Sequence, residues 1–415
     1  MKATQYSQTP FIVLFLIAAA AFLAAVAVTG VKSETENYME FFADGLPSTM
    51  EYPPLAAVFF GLPKLISSTP GGYETAFAAE AFIFFVIGLV YTAKLAKKFN
   101  QSQHAAMTLY AVGMLLMLEF VLDRYDIFPA VLTLLAIYCY VTKRYALAWI
   151  VLSLATMTKL YPAILMPIFL IPMLTGRDWK GAAKGTALYF GVALAIFLPL
   201  LITDPDAATF FISYHSGRPL QIESFAASLI YPFSLAGATE AEWVFTYGSD
   251  NMAGPIPDAA AGVVLPIMAA MLLLLYAFTA HLFLKIRKNG RNTEDNRRAL
   301  FGATLFLAMV IFMLGSKVFS GQYLIWIIPL AAFLPAVFPD IRRRRIAAIL
   351  LAATIVLLQA DFAVNAFFLN GEGLTVPGMS LILAKNLALL ATAVMVILAI
   401  RERITGRNAA PDRNL

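Results

Sequence analysis

The chain has 415 residues, of which 60% are hydrophobic and only 13% charged, about half the ~25% charged share of a soluble domain. A globular core cannot use that much apolar surface and a bilayer can, so a net charge of +5 reports membrane topology and not a nucleic-acid partner. One cysteine and three scattered histidines exclude a disulfide framework and a Cys/His metal cluster.

In chain order, Lys2 precedes an apolar stretch over 11–31, too long for the h-region of a signal peptide and read as an uncleaved first span. Further apolar runs cover 76–93, 104–121, 127–142, 145–158, 162–175, 185–202, 259–285, 299–315, 322–338, 346–366 and 380–400. About a dozen spans of ~20 residues is what this length of apolar chain supplies. The fold class is therefore an all-α polytopic membrane protein, a single integral membrane domain over 1–415. Its long outer loops are 32–75 and 203–258, and its tail at about 407–415 reads as disordered. Within the first loop, YPPLAAVFFGLPKLI (52–66) is apolar but short and flanked by prolines, the pattern of an interfacial helix.

The runs 145–158 and 162–175 are short and meet at Lys159-Leu160-Tyr161-Pro162. They read either as a hairpin of two helices or as one long kinked helix, since proline ends or starts a helix. Charge favours the hairpin. With it, the clusters at Lys94/Lys97/Lys98, Lys143/Arg144, Arg177/Lys180/Lys184, Lys285 to Arg298, Arg342–Arg345 and Arg401/Arg403/Arg407 fall on one side. That side is cytoplasmic by the positive-inside rule, and both termini lie there. The expected location is the plasma membrane, with membrane lipids as partners.

On the opposite side the cations are solitary and set among acids, aromatics and prolines. LDRYDIFPA (122–130), TKLYPAI (158–164), YHSGRPLQIES (214–224) and GSKVFSGQYLIW (315–326) repeat this habit. Arg124, Lys159, Arg218, Lys317 and His215 are predicted to converge in a polar bowl. Converging cations suit an anionic ligand such as a lipid phosphate, whose chain lies in the bilayer.

EYPPLA, RYDIFPA, ATMTKLYP, YHSGRPLQIES and SGQYLIWIIPL resemble glycosyltransferase family 87 over roughly residues 30–335. The resemblance implies a GT-C fold and an inverting transfer of a sugar, mannose in this family, from a polyprenyl phosphate donor to a lipid or glycan hydroxyl outside the cytoplasm. It also implies a general base in the first outer loop, an acid four residues before a tyrosine and upstream of Glu-Tyr-Pro-Pro. Here Glu34 precedes Tyr38, and Glu51-Tyr52-Pro53-Pro54 follows. The family acid is usually Asp, and Glu36 lies two residues on, so the base is Glu34 or Glu36, with Asp44 a weaker choice. Arg124, Lys159, His215, Arg218 and Lys317 would hold the donor phosphate. Asp123, Asp126, Tyr161, Gln221, Glu223 and Gln322 would bind sugar or acceptor. With no Asp-x-Asp pair in the first loop, neither a metal nor another cofactor is expected. The competing function is a transporter or flippase of a lipid-linked or anionic solute, which also carries charges inside a helical bundle.

Overall fold

The computed structural model describes residues 9–29, 33–40, 51–331, 333–338, 340–368 and 374–405. The expected disordered tail and Asp44 lie outside the described residues. The helices run in the order α1 (Thr9–Thr29), α2 (Ser33–Glu40), α3 (Ala56–Ile66), α4 (Pro70–Lys98), α5 (Gln103–Leu116), α6 (Leu118–Asp123), α7 (Ile127–Val141) and α8 (Tyr145–Thr158). A 3-10 turn, Tyr161–Leu165, leads to α9 (Met166–Thr175), α10 (Trp179–Thr203), α11 (Pro205–Gly217) and α12 (Phe225–Leu235). Then come α13 (Pro255–Lys288), α14 (Glu294–Gly315), α15 (Leu324–Ala331), α16 (Ile341–Phe368) and α17 (Val376–Thr405).

The protein is thus an all-α polytopic membrane protein, as its composition predicts. Among the described residues, seven helices are long and apolar enough to cross a bilayer: α1, α4, α10, α13, α14, α16 and α17. The other five predicted runs fold as shorter helices. The 15 residues of α7, at 1.5 Å each, rise ~22 Å, against a hydrocarbon core of ~30 Å. The run 104–121 is broken at Met117, and α15 carries Pro329 in its interior. α8 ends at Lys159, whose backbone is extended (φ −153°, ψ 140°), so 145–175 is not one continuous helix. The interfacial segment predicted within 52–66 folds as α3, eleven residues long with Pro63 inside it.

Among the described residues five helix C-termini share one device. α4, α7, α9, α12 and α13 are each followed by a residue with positive φ: Asn100 (55°), Lys143 (63°), Arg177 (62°), Gly237 (72°) and Gly290 (67°). In each, the next N–H reaches back five residues, as from Arg144 to Cys139 O (2.8 Å) and from Asp178 to Met173 O (2.9 Å). This six-to-one closure satisfies carbonyls that a helix end leaves free. Lys97/Lys98, Lys143/Arg144, Arg177 and Lys285/Arg287/Lys288 sit at four of these ends, where cations complement the negative pole of the helix.

The sequence reading missed a small sheet in the second long loop. Strands β1 (Leu220–Gln221), β2 (Glu242–Thr246) and β3 (Ser249–Ala253) form an antiparallel sheet in the order β1-β3-β2. β2 and β3 are joined by Tyr247 and Gly248, both at positive φ (53° and 62°), the conformation a two-residue hairpin turn demands.

The chain divides into two compact units. The first comprises Met1–Pro162, Ala187–Thr209 and Ile325–Phe333, and the second Ala163–Thr186, Phe210–Leu324 and Leu334–Leu415. Aromatic rings fill the first: Tyr38 stacks on Phe60 (4.2 Å), Phe59 on Phe128 (4.6 Å), and Phe77 and Phe84 meet Phe128 edge-on. Such pairs add ~0.5–1.5 kcal/mol each beyond the area they bury. In the second unit, Leu220, Ile222 and Met252 of the sheet region pack with Ala227 and Tyr231 of α12 and with Met379 and Ile382 of α17.

Candidate active site

Within the first unit, four stretches that are far apart in the chain meet. α2 brings Glu34, the 51–54 turn brings Glu51 and Tyr52, α6 and its end bring Asp123 to Asp126, and the end of α8 brings Lys159. The turn is pinned to α8 by the Leu55 N–H, which donates to Met157 O (2.9 Å). Tyr52 and Tyr125 meet edge-on at 4.8 Å.

Arg124 is the hub. Its guanidinium pairs with Glu34 Oε1 (2.7 Å) and Asp123 Oδ2 (3.3 Å), and the Glu34 N–H points at Asp123 Oδ1 (3.4 Å). Burial raises the Glu34 carboxyl above the ordinary range for a glutamate. Arg124 opposes that shift and Asp123 and Glu51 reinforce it. The neighbouring acids hold the Arg124 proton still tighter than usual, against its burial. Tyr38, one helical turn after Glu34, is buried with no hydrogen-bond partner for its hydroxyl among the described residues. Glu36 is exposed on the same helix.

Beside this hub lies a second ion pair. Lys159 Nζ donates to Asp126 Oδ1 (2.7 Å), and Trp326 Nε1 donates to the same oxygen (2.7 Å). Trp326 stacks on Tyr161 at 4.0 Å, and Tyr161 in turn lies within hydrogen-bond reach of Thr133. The Lys159 ammonium sits over Tyr125 (4.7 Å) and Trp326 (5.3 Å). Burial pulls it below the ordinary lysine range, with Asp126 pulling the other way.

Within the second unit, Gln221 of β1 ties the two remaining motifs together. Its side-chain amide donates to Ser320 Oγ (2.9 Å) and Glu223 Oε2 (3.1 Å), and its carbonyl accepts from the Phe319 N–H (2.9 Å). The Gln221 N–H donates to Lys317 O (2.9 Å). Lys317 Nζ donates to Ser216 O (2.7 Å), and Arg218 Nη2 to Ser249 Oγ (2.8 Å), with Tyr214 under its guanidinium (5.7 Å). Among the described residues neither cation has a carboxylate within ion-pair distance, and Arg218 Nε is buried without a hydrogen-bond partner. Burial and the nearby Arg218 both lower the Lys317 pKa. His215 ends α11 with its ring against Tyr214 (5.3 Å), and Gln322 is half-buried on the 3-10 turn Gly321–Tyr323.

Support comes from α17. The Lys385 ammonium, 1% exposed, lies over the Phe319 ring at 4.3 Å. Asn386 Nδ2 donates to Glu223 O (3.3 Å) and Ser228 Oγ (3.2 Å).

Residues 50–316 match the sequence profile of Glycosyltransferase family 87. The chain belongs to glycosyltransferase family 87. No relative was found among curated proteins. In fold, this family 87 member is similar to the crystal structure of ArnT from Cupriavidus metallidurans bound to undecaprenyl phosphate. The TM-score is 0.50 at 15% identity, covering 97% of this chain and 79% of that one. The apo form of the same ArnT aligns equally well, with a TM-score of 0.50 at 15% identity over 97% of this chain and 78% of that one. The architecture is that of a GT-C glycosyltransferase.

The structure brings Glu34, Asp123, Arg124, Asp126, Lys159 and Tyr161 together in the first unit. It gathers His215, Arg218, Gln221, Glu223 and Lys317 in the second. Trp326, Lys385 and Asn386 were missed by sequence reasoning. Trp326 was legible as the one Trp in the QYLIW motif, while Lys385 and Asn386 stood as a polar pair inside an apolar run, a signature that within a membrane span points to function. Among the described residues no group of three His, Cys, Asp or Glu side chains is placed to hold a metal ion.

Proposed function

We propose that this GT-C glycosyltransferase moves a sugar, mannose by the family resemblance, from a polyprenyl phosphate to a hydroxyl of a lipid or glycan acceptor, with inversion. The acceptor oxygen bonds to the anomeric carbon while the bond from that carbon to the phosphate oxygen breaks. The hydroxyl proton passes to Glu34, and polyprenyl phosphate departs as an anion. Glu34 fits a base better than Glu36. It is half-buried, fixed by Arg124 and raised in pKa by burial, whereas Glu36 faces outward. A base works best with its pKa drawn towards the operating pH.

The observation that carries this reading is the pair Arg218 and Lys317. Arg124 and Lys159 are already matched by carboxylates. Arg218 and Lys317 are held by neutral oxygens, which leaves their charge for a phosphate that becomes a leaving anion. His215 would join them at the phosphate, and Glu223, held by Gln221, would bind sugar or acceptor. Asp123, Asp126, Tyr161, Gln221 and Gln322 serve as sugar-binding or scaffolding groups. The undecaprenyl phosphate bound by ArnT is a ligand of the same class. The basic helix ends favour the cytoplasmic side for themselves and for both termini, in the plasma membrane, and the extracytoplasmic side for the acids and solitary cations.

The test is transfer of label from a polyprenyl phosphate sugar to lipid in membranes containing the protein. Glu34→Gln is expected to lose ~10²–10⁴-fold in rate, with Glu36→Gln near wild type. Lys317→Gln and Arg218→Gln are expected to lower kcat more than they raise the acceptor KM. Undiminished transfer by Glu34→Gln at normal expression removes the proposed base, and movement of the lipid across the bilayer without transfer turns the reading to a flippase.

A further inference from the structure

We infer that the β2–β3 hairpin is a membrane-interface anchor, whose Trp243 and Phe245 enter the headgroup layer of the bilayer and fix the depth at which Arg218 works. The aromatic side chains of this edge strand are left uncovered: Trp243 is 45%, Phe245 64% and the turn residue Tyr247 40% exposed. In a strand, residues two apart share a face, so Trp243 and Phe245 point the same way and Glu242 and Val244 the other.

The sheet register says which way that is. Trp243 lies opposite Met252, and Met252 opposite Leu220, so these three side chains share one face. Leu220 and Met252 are fully buried there, packed with Met379 and Ile382 near the start of α17 and with Ala260 and Ala261 near the start of α13. Both helices are apolar and long enough to span the membrane, and each has basic residues near its far end. The face of the sheet bearing Trp243 and Phe245 therefore rests on the outer ends of two spanning helices. On the edge strand, where Trp243 and Phe245 are left exposed, the same face meets the bilayer.

Depth agrees. Only Gly254 separates β3 from α13. After Asp258 that helix has no Asp, Glu, Lys or Arg from Ala259 to Leu284. The β3 end that meets α13, with Trp243 paired to Met252 beside it, thus sits about one helical turn outside the apolar stretch, near the ~5–8 Å layer between hydrocarbon and water. Tryptophan and tyrosine concentrate in that layer, with the ring in the apolar part and the polar atom satisfied. Here Trp243 Nε1 donates to Asp250 Oδ1 (2.9 Å).

The hairpin also holds the cation. Ser249 Oγ accepts from Arg218. Tyr247 O accepts from Tyr214 OH (2.9 Å), whose ring underlies the guanidinium. Strands anchored among headgroups thereby place Arg218 at the level where lipid phosphates lie. This consequence rests on the proposed phosphate-linked donor, while the anchor does not.

The test uses spin labels in the full-length protein with Cys139→Ser, which removes the one native cysteine. Labels are placed at Phe245→Cys and, separately, Trp243→Cys, with Glu242→Cys on the opposite face as control. The proteins are reconstituted into phosphatidylcholine–phosphatidylglycerol vesicles without donor or acceptor. Labels at 243 and 245 are expected to be relaxed more by oxygen, which concentrates in the bilayer, than by a water-soluble nickel chelate. The ratio should exceed that at 242 several-fold. Equal nickel access at all three positions overturns the anchor. So does nickel access at 245 that is abolished by added soluble mannan, because the strand would then be a sugar-binding platform. In turnover, Phe245→Ser is expected to raise the KM for a lipid-linked donor with kcat retained. An unchanged KM beside a positive depth result would overturn the link between the anchor and Arg218, whereas no transfer from a lipid-linked donor by the unsubstituted protein would overturn the proposed donor and leave the anchor standing.

Discussion

Burial sets the acidity of Glu34, and the two charged neighbours Arg124 and Asp123 shift it in opposite directions, each giving a signed prediction. As the proposed proton acceptor it must be ionised, so activity is expected to fall as the pH drops through its pKa. Because burial raises that pKa, the acid limb of kcat/KM is expected above the ~4.3 of a free glutamate. Asp123 raises the value and Arg124 lowers it. Asp123→Asn should therefore move the limb to lower pH and Arg124→Met to higher pH, as read from pH profiles. Asp126 is a different case. It accepts from both Lys159 and Trp326 on one buried oxygen. Asp126→Asn leaves the lysine charge without its partner, a loss of ~3–5 kcal/mol when one half of a buried pair is removed, measurable as a lower Tm in detergent. The sequence showed Lys159 as one solitary cation among several, because Asp126, 33 positions earlier, reaches it only through the packing of α7 and α8. Glu34 and Glu36 were equally eligible in sequence, and what separates them is which side of one short helix faces Arg124.

At the scale of elements, hydropathy located seven helices long enough to cross a bilayer, since apolar length is what a bilayer selects, and five shorter ones that it also read as spans. It missed α11 and α12 in the second long loop, and it failed at the sheet. EWVFT has apolar residues on both faces, so the alternation that marks a half-buried strand is blurred. Tyr-Gly is also a weaker turn signal than Asn-Gly. The sheet matters because β1 carries Gln221. Gln221→Leu keeps the volume but strips the acceptor from the Phe319 N–H and the donor from Ser320. Leaving such a buried N–H unmet costs ~1–3 kcal/mol. The expected outcome is a lower Tm together with a weakened grip on the donor, seen as a raised donor KM, because the loop it clamps is the one bearing Lys317.

For the molecule as a whole, the pattern of basic clusters was fully legible, because charge is written in composition and needs no contact to be seen. Four of the five closed helix ends carry such basic residues, and the fifth, α12 at Gly237, carries none. Cysteines introduced at Gly290 and Gly237 should label oppositely in sealed cells: Gly237→Cys from outside, Gly290→Cys only after permeabilisation. The last two helices were legible as spans and nothing more, yet α17 reaches the loops that carry Lys317 and Glu223 through Lys385 over Phe319 and Asn386 on the Glu223 carbonyl. The family match stops at residue 316, so these grips lie in a region that homology alone would treat as replaceable hydrophobic mass. A chimera carrying an unrelated leucine-rich helical hairpin in place of 341–405 would satisfy the translocon and still leave the enzyme idle, and restoring just the Lys-Asn pair at the matching depth should rekindle part of its turnover.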